Sequence, residues 1–203
     1  GLTSEVDLKQ EVVATGDLPR LTVEQVLMIH PYWDCAILKV TGEALADRTP
    51  LKLVDREPTD IRDREVAIIG YPAFDRRNDV ALQQRIFRVF EKKRLRPGLL
   101  RGYDYCESYG IEVEALTHDI STLGGNSGSA VVDLHTGEVL GLHFAGVKRR
   151  ANYAVPAWQL ARDVRVVDTG INFVAPPSAS LATPWEEQWR EADPGWKRQT
   201  AIS

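Results

Sequence analysis

The sequence predicts an all-β protein, because its apolar segments are short, rich in β-branched residues and separated by turn signals. Residues 130–132 and 139–146 have the composition of core strands, and the Asp, Thr and Gly within 133–137 form a hairpin signal between them. Residues 23–30 and 35–40 are a second pair of predicted strands. These four segments determine the predicted fold class.

A glycine-rich run at 121–129 is the most informative local feature, because it places Ser127 among three glycines just before a predicted strand. Such a run turns tightly, so the Ser127 hydroxyl can project while the backbone amides of Gly125 and Ser127 converge on one point. This arrangement suits a nucleophile with its oxyanion hole. A plain glycine-serine turn is the alternative, although a linker would not be framed by core strands.

A carboxylate stands at the start of another apolar strand. Asp34 directly precedes residues 35–40, so we expect it at the rim of the core. An aspartate in that position can orient an imidazole. The sequence therefore contains a candidate nucleophile and a candidate orienting acid.

Five separated motifs occur in the order found in a known family. They are DCAILKV at 34–40, VAIIGYP at 66–72, HDISTLGGNSGS at 118–129, GLHFAG at 141–146 and NYAVP at 152–156. Through them the chain resembles the chymotrypsin-like serine peptidases, most closely the bacterial glutamyl endopeptidases. The resemblance implies two six-stranded antiparallel β-barrels packed face to face, with the active site between them. The first barrel is expected to be incomplete in this chain, and a short C-terminal helix at 158–166 to close the second.

The predicted organisation follows from this resemblance. Residues 1–40 are the remainder of the first barrel, 41–64 a linker between barrels, 65–167 the second barrel with its closing helix, and 168–203 a C-terminal linker and tail. Residues 85–90 alternate polar and apolar, which predicts a strand, and the basic run after them is interpreted as a solvated loop in preference to a partner-docking patch. Trp185 and Trp189 can share one helical face, which packs within the chain or contacts a partner protein.

Ser127 needs a general base, which in this family is a histidine that precedes the aspartate. His30 is the one histidine before that aspartate, and it reaches the carboxylate only if Pro31 starts a turn, so we do not assign it as the base. His118 and His135 are interpreted as turn or surface histidines. Either a complementing N-terminal fragment supplies the histidine, or the chain is an inactive relative that binds peptides. An incomplete first barrel leaves an unpaired edge and an exposed apolar face, which favours the fragment.

The resemblance also implies a polypeptide substrate with an acidic residue before the scissile bond. Thr122 and His143 occupy the motif positions that bind a glutamate or aspartate side chain in the glutamyl endopeptidases, by hydroxyl donation and a charge-assisted hydrogen bond. The alternative for His143 is an ordinary core histidine. Phe144, Ala145 and Gly146 would form the strand to which an extended peptide adds.

Composition sets broad limits on partners and location. The chain has 203 residues, 43% of them hydrophobic, and a net charge of −4, which fits one unit of two subdomains and gives no indication of nucleic-acid or membrane binding. We expect no cofactor and no metal site, because no Cys/His spacing indicates one. Cys35 and Cys106 do not suggest a disulfide framework, which favours a bacterial protein that is cytoplasmic in preference to secreted.

Overall fold

A computed structural model describes residues 4–7, 11–12, 20–46, 48–76, 78–147 and 150–197, and within them the chain forms two β-sheets. The strands are β1 (Glu5–Asp7), β2 (Arg20–Ile29), β3 (Ala36–Thr41), β4 (Glu65–Gly70), β5 (Arg94–Ser108), β6 (Ile111–His118), β7 (Ala130–Asp133), β8 (Val139–Val147) and β9 (Ala151–Pro156). The α-helices are α1 (Val80–Phe87), α2 (Ala157–Leu160), α3 (Val164–Val167) and α4 (Glu186–Ala192), and one 3-10 turn spans Glu43–Leu45. The predicted all-β class is confirmed.

The second sheet is a closed antiparallel barrel of six strands in the order β4-β5-β6-β9-β8-β7. Its interior is filled by apolar side chains from every strand, as expected for alternating residues on a barrel wall. The fully buried members include Val66, Ile68, Leu100, Leu116, Val131, Leu140 and Ala154. This barrel is the complete one of the two that the sequence predicts.

Within the described residues, the first sheet has three antiparallel strands in the order β1-β2-β3, fewer than the six of a closed barrel. Met28 and Ile37 pair across β2 and β3 and pack against the core. On the opposite face the partners Val26 and Leu38 are 52% and 44% exposed, and Ile29 is 62% exposed. Ile37 and Leu38 are successive residues and point to opposite faces, and the register shift between Val26 and Met28 puts their partners on opposite faces too. One face of this sheet is therefore apolar and exposed.

The hairpin between β7 and β8 forms where the sequence predicts it. The Asp133 carboxylate accepts hydrogen bonds from the amides of His135 and Thr136, and Gly137 has a φ of 76°. Arg64 also donates to Asp133 at 2.6 Å, which ties the hairpin to the segment before β4. Asx-type bonds and a left-handed glycine are the devices that close such a turn.

The strand predicted at 85–90 is wrong, because residues 85–87 belong to α1 and residues 88–90 form no strand. The helix begins after Asp79, whose carboxylate accepts the Leu82 amide at 2.7 Å as an N-cap. Phe87 and Gln83 are the buried residues of the helix and lie one turn apart. Burial at this helical spacing, together with the cap, outweighs the short polar–apolar alternation.

The closing helix predicted at 158–166 is two short helices, α2 and α3, that meet at Asp163, which caps α3. After residues 175–180, helix α4 brings Trp185 and Trp189 into the core at 1% and 5% exposure, so both indoles pack within the chain. Cys35 and Cys106 are both free thiols. Across the described residues, no helix has the length and apolar character to span a membrane.

Candidate active site

The nucleophile loop joins β6 to β7 and is held against β8. The Gly128 amide donates to the His143 carbonyl at 2.7 Å, and the His143 amide donates to the Ser129 carbonyl at 2.9 Å. Between these anchors Ser127 is exposed, and its hydroxyl donates to the Phe144 carbonyl at 3.2 Å. The structure therefore presents the predicted nucleophile at the surface, beside the predicted substrate strand.

Two glycines explain why the loop takes this shape. Gly125 has a φ of 87°, and a Cβ there would lie 2.5 Å from the Tyr71 carbonyl oxygen, so only glycine fits. A Cβ on Gly70 would lie 2.5 Å from Asn126 Oδ1 and closer still to Ser129 Oγ. The buried side chains of Asn126 and Ser129 thus seat the loop on the end of β4.

The amides predicted to form the oxyanion hole are those of Gly125 and Ser127. Within the described part of the chain, neither amide donates a hydrogen bond, although the neighbouring amide of Asn126 donates to the Leu123 carbonyl at 3.2 Å. A tight loop with two unpaired N–H groups next to a serine is the arrangement that can receive a developing oxyanion. Their role stays a prediction.

A cleft of about 980 Å³ opens beside Ser127. Every residue predicted to bind substrate lines it, namely Thr122, His143, Phe144, Ala145 and Gly146. Ser121, the residue before Thr122, also lines it and carries no charge. The loop and β8 thus bring the predicted nucleophile and the predicted substrate-binding residues together around one space.

Thr122 is part of a hydrogen-bonded chain that the sequence prediction left out. Its hydroxyl donates to Asn152 Oδ1 at 2.6 Å, and Asn152 Nδ2 donates to the Ile120 carbonyl at 2.8 Å. A Cβ on Gly146 would lie 2.5 Å from Asn152 Oδ1. Asn152 therefore orients Thr122. The one sequence feature that could have identified Asn152 as a site residue is its place at the start of the NYAVP motif.

His143 has a buried partner. Its Nδ1 lies 3.2 Å from Nε2 of His118, and both rings are enclosed in the barrel. The interpretation of His118 as a turn or surface histidine is wrong, since it is 1% exposed. Burial lowers the pKa of His118 to about 3, with a smaller effect of His143, and burial lowers the pKa of His143 to about 4. Both imidazoles are neutral near pH 7.

Helix α1 and the loop before it form the opposite wall of the cleft. Gln83 is buried and shapes this loop, because its side-chain amide donates to the Asp75 carbonyl at 2.8 Å and its oxygen accepts the Asp75 amide at 3.0 Å. Arg85 also lines the cleft, and among the described residues it has no ion-pair partner. The carboxylates on the lining have donors: Asp79 caps the helix, and Asp119 is paired with Arg101.

Asp34 lies in the turn between β2 and β3 and is exposed. Its Oδ1 accepts a hydrogen bond from the Tyr109 hydroxyl at 3.2 Å. Asp34 is not among the residues that line the cleft. The structure thus places the predicted orienting carboxylate on the first sheet, apart from the group around Ser127.

His30 is fully buried behind Asp34. Its Nδ1 accepts the amides of Tyr32 and Trp33, and its Nε2 lies 3.3 Å from Asp163 Oδ2. A histidine with both nitrogens held in this way has no free atom with which to deprotonate a serine.

An exposed serine beside two unpaired amides, at the edge of a six-stranded antiparallel barrel, has the architecture of the chymotrypsin-like serine peptidases. In agreement, residues 3–142 match the family described as "Trypsin-like peptidase domain", and the chain belongs to that family. No curated protein matches the sequence.

Two solved structures are similar to this one. Rv3671c from M. tuberculosis H37Rv, in the inactive form of a serine-to-alanine mutant, is 19% identical with a TM-score of 0.51, over 74% of this chain and 66% of that one. The MamO protease domain from Magnetospirillum magneticum, in its apo form, is 16% identical with a TM-score of 0.52, over 80% of this chain and 74% of that one. The chain thus spans just under two thirds of the M. tuberculosis chain, and the likeness shows the fold.

Proposed function

We propose that this chain is the nucleophile-bearing part of a serine endopeptidase. The observation that carries the proposal is the exposed Ser127 hydroxyl beside the unpaired amides of Gly125 and Ser127. Ser127 Oγ attacks the scissile carbonyl carbon while an imidazole takes its proton, and the two amides stabilise the resulting oxyanion. The imidazolium then protonates the departing amine, and water hydrolyses the acyl-enzyme. Asp34 orients the imidazole.

The histidine, in this proposal, comes from a complementing N-terminal fragment. The first sheet supports this, because it has three described strands where a complete barrel has six. Val26, Ile29 and Leu38 form an exposed apolar face on these strands. Further antiparallel strands, alternating apolar and polar, would cover this face and pair with its edge. The same strands would bring a histidine to the side of the turn that carries Asp34.

An acidic residue before the scissile bond is the preferred substrate in this proposal. The Thr122 hydroxyl has one hydrogen, which it donates to Asn152 Oδ1, so to bind a substrate carboxylate it would turn from Asn152 to the substrate. The same carboxylate would favour protonation of His143, since an adjacent negative charge raises a histidine pKa. Arg85 adds a cation to the same cleft. Binding of a glutamate side chain should therefore be accompanied by uptake of a proton, measurable by calorimetry in buffers of different ionisation enthalpy.

A second candidate function is binding of peptides without catalysis. One observation favours it: the Ser127 hydroxyl donates to the Phe144 carbonyl, and no histidine of the described residues receives its proton. Phe144, Ala145 and Gly146 could still pair with an extended peptide. The C-terminal tail could likewise meet a partner protein, although the burial of Trp185 and Trp189 favours packing within the chain.

The deciding experiment is fluorophosphonate labelling of the protein purified from its source organism, with any associated polypeptides retained. We expect one adduct on the peptide that contains Ser127, no adduct in Ser127→Ala, and wild-type labelling in Ser121→Ala, which alters a second exposed serine of the cleft. A folded wild-type protein that gains no adduct would contradict the peptidase proposal and favour the peptide-binding alternative. Mass spectrometry of the labelled sample also identifies a histidine-bearing partner polypeptide.

A further inference from the structure

A buried polar cluster contacts the turn that carries Asp34, and none of its residues lines the cleft. Its centre is the Asp163 carboxylate, whose Oδ2 accepts the indole N–H groups of Trp185 and Trp189, each at 2.6 Å. Oδ1 accepts the Arg165 amide at 2.8 Å, and Nε2 of His30 lies 3.3 Å from Oδ2. The mechanism proposed above uses none of these groups.

The surroundings of His30 determine which of its ring nitrogens carries the hydrogen. The burial of Asp163 raises its pKa, but the nearby His30 ring and the hydrogen bonds from the two indoles and the Arg165 amide outweigh burial and leave the pKa below its usual range. Nδ1 of His30 accepts two backbone amides, so the ring hydrogen lies on Nε2. Nε2 lies 3.3 Å from Asp163 Oδ2, an ion-pair contact whose geometry is outside that of a regular hydrogen bond. Nδ1 is left as an acceptor.

That acceptor shapes the turn. Nδ1 of His30 receives the Tyr32 amide at 3.2 Å and the Trp33 amide at 3.1 Å. Backbone amides can only donate, so both bonds require an Nδ1 without hydrogen. The loop closes where the His30 amide donates to the Cys35 carbonyl at 3.0 Å.

The same turn is held from the side by the hairpin between β5 and β6. The Ser108 hydroxyl donates to the Tyr32 carbonyl at 2.8 Å, and the Tyr109 hydroxyl donates to Asp34. The ring of Trp185 lies against those of Tyr32 and Trp33, at centroid distances of 5.6 Å and 6.1 Å. The turn is thus fixed on two sides, and Asp34 projects from it.

We propose that His30 is a positioning residue, whose Nδ1 shapes the turn that presents Asp34 and whose Nε2 contacts the Asp163 carboxylate that Trp185 and Trp189 hold. The orienting role of Asp34 itself rests on the proposed function. The C-terminal helix α4 is then part of the support of the catalytic aspartate, acting through the buried carboxylate and the imidazole.

Two substitutions separate the two nitrogens of the ring. In His30→Asn the side-chain oxygen takes the place of Nδ1 and can still accept the Tyr32 and Trp33 amides. In His30→Gln the side-chain nitrogen takes the place of Nε2 and can still contact Asp163, but the acceptor at Nδ1 is lost. The two variants are matched in polarity and in the loss of the ring.

The first readout is amide hydrogen exchange of Tyr32 and Trp33, followed by NMR on this chain. We expect His30→Asn to keep the protection of both amides and His30→Gln to exchange at least about tenfold faster at these two positions. Equal protection in the two variants overturns the proposal. If either variant does not fold, the ring-nitrogen spectrum of the wild-type protein decides, because a hydrogen on Nδ1 also overturns it.

The second readout is catalysis in the complemented peptidase. We expect kcat to fall about tenfold or more in His30→Gln with KM unchanged, and His30→Asn to retain kcat, which general destabilisation would not produce. If amide protection follows the predicted pattern while kcat is unaffected, His30 shapes the turn but Asp34 does not orient the catalytic imidazole. Failure of this proposal and failure of the proposed function are thereby distinguishable.

Discussion

Nε2 of His118 and Nδ1 of His143 face each other at 3.2 Å inside the second barrel. Only one hydrogen can lie between the two atoms, so protonation of both rings would place two like charges in contact within an apolar interior. The pair is therefore stable only while at least one ring is neutral. This requirement links the candidate substrate pocket to the pH dependence of folding.

We predict that stability falls as the pH falls from about 6.5 toward about 4. The pKa of His118 is lowered to about 3 and that of His143 to about 4, whereas the unfolded value is about 6.5. Protons therefore bind the unfolded state first, and each histidine contributes up to about 1.4 kcal/mol per pH unit within this window. Urea unfolding at several pH values measures the slope.

The matched controls are His118→Gln and His135→Gln. Removing His118 should flatten the slope, whereas removing His135, which is exposed in the β7–β8 turn, should leave the slope unchanged. Identical slopes in the wild type and His118→Gln would contradict the assignment of the acid-labile group.

We predict that Gly146→Ala weakens binding of acidic peptides without unfolding the chain. The added Cβ would lie 2.5 Å from Asn152 Oδ1 and 3.8 Å from Thr122 Oγ1, so it displaces the group that orients the threonine. Calorimetry with a product-like peptide ending in glutamate should show at least about a tenfold loss of affinity. Gly124→Ala is the control, because a Cβ there meets nothing within 4 Å; equal affinities in the two variants would argue against this pocket.

We predict that Arg85→Ala weakens binding of a peptide ending in glutamate more than binding of the same peptide ending in glutamine. Arg85 lines the cleft and has no ion-pair partner among the described residues, so its charge is available to a carboxylate. The expected difference between the peptides is about fivefold, and smaller at high salt. Arg88→Ala, at the end of the same helix but outside the lining, should affect neither peptide. A uniform loss for both peptides would mean that Arg85 acts on packing alone.

We predict that Gly70→Ala destabilises the protein by about 1–3 kcal/mol, the usual range for overpacking. The added Cβ collides with Ser129 Oγ and Asn126 Oδ1 beneath the nucleophile loop. Adding Ser129→Ala should restore part of the loss, because one of the two colliding atoms is then absent. Thermal unfolding measures both effects. If the losses of stability in Gly70→Ala and Ser129→Ala simply add in the double variant, the added Cβ does not collide with Ser129.

The fold and the nucleophile loop were predictable because their signals are local. Gly125 and Ser127 stand in a run that only a tight turn accommodates, and the Asp133 turn contains its own hydrogen-bond acceptor. The helix at α1 was missed because its determinants, the Asp79 cap and the burial of Gln83, lie outside the alternating hexapeptide.

The remainder of the site depends on contacts between distant segments. His118 is buried against His143, which lies on a strand that is not adjacent to its own, and nothing in its local sequence indicates this. Likewise, His30 was not assigned as the base because it reaches Asp34 only through a turn at Pro31, whereas its role under the turn depends on Asp163, more than a hundred residues later in the chain. Long-range polar pairing is the information that a single sequence lacks.

The Asp163 cluster also has a consequence for the order of folding. The turn with Asp34 lies near the start of the described chain, whereas the indoles that hold its buried support come from residues 185 and 189. Contacts of such sequence separation form late, because their loop-closure entropy must be overcome first. The candidate catalytic aspartate therefore cannot reach its final position until α4 has been synthesised and has docked. In a partly synthesised chain the nucleophile loop would be folded before Asp34 is in place.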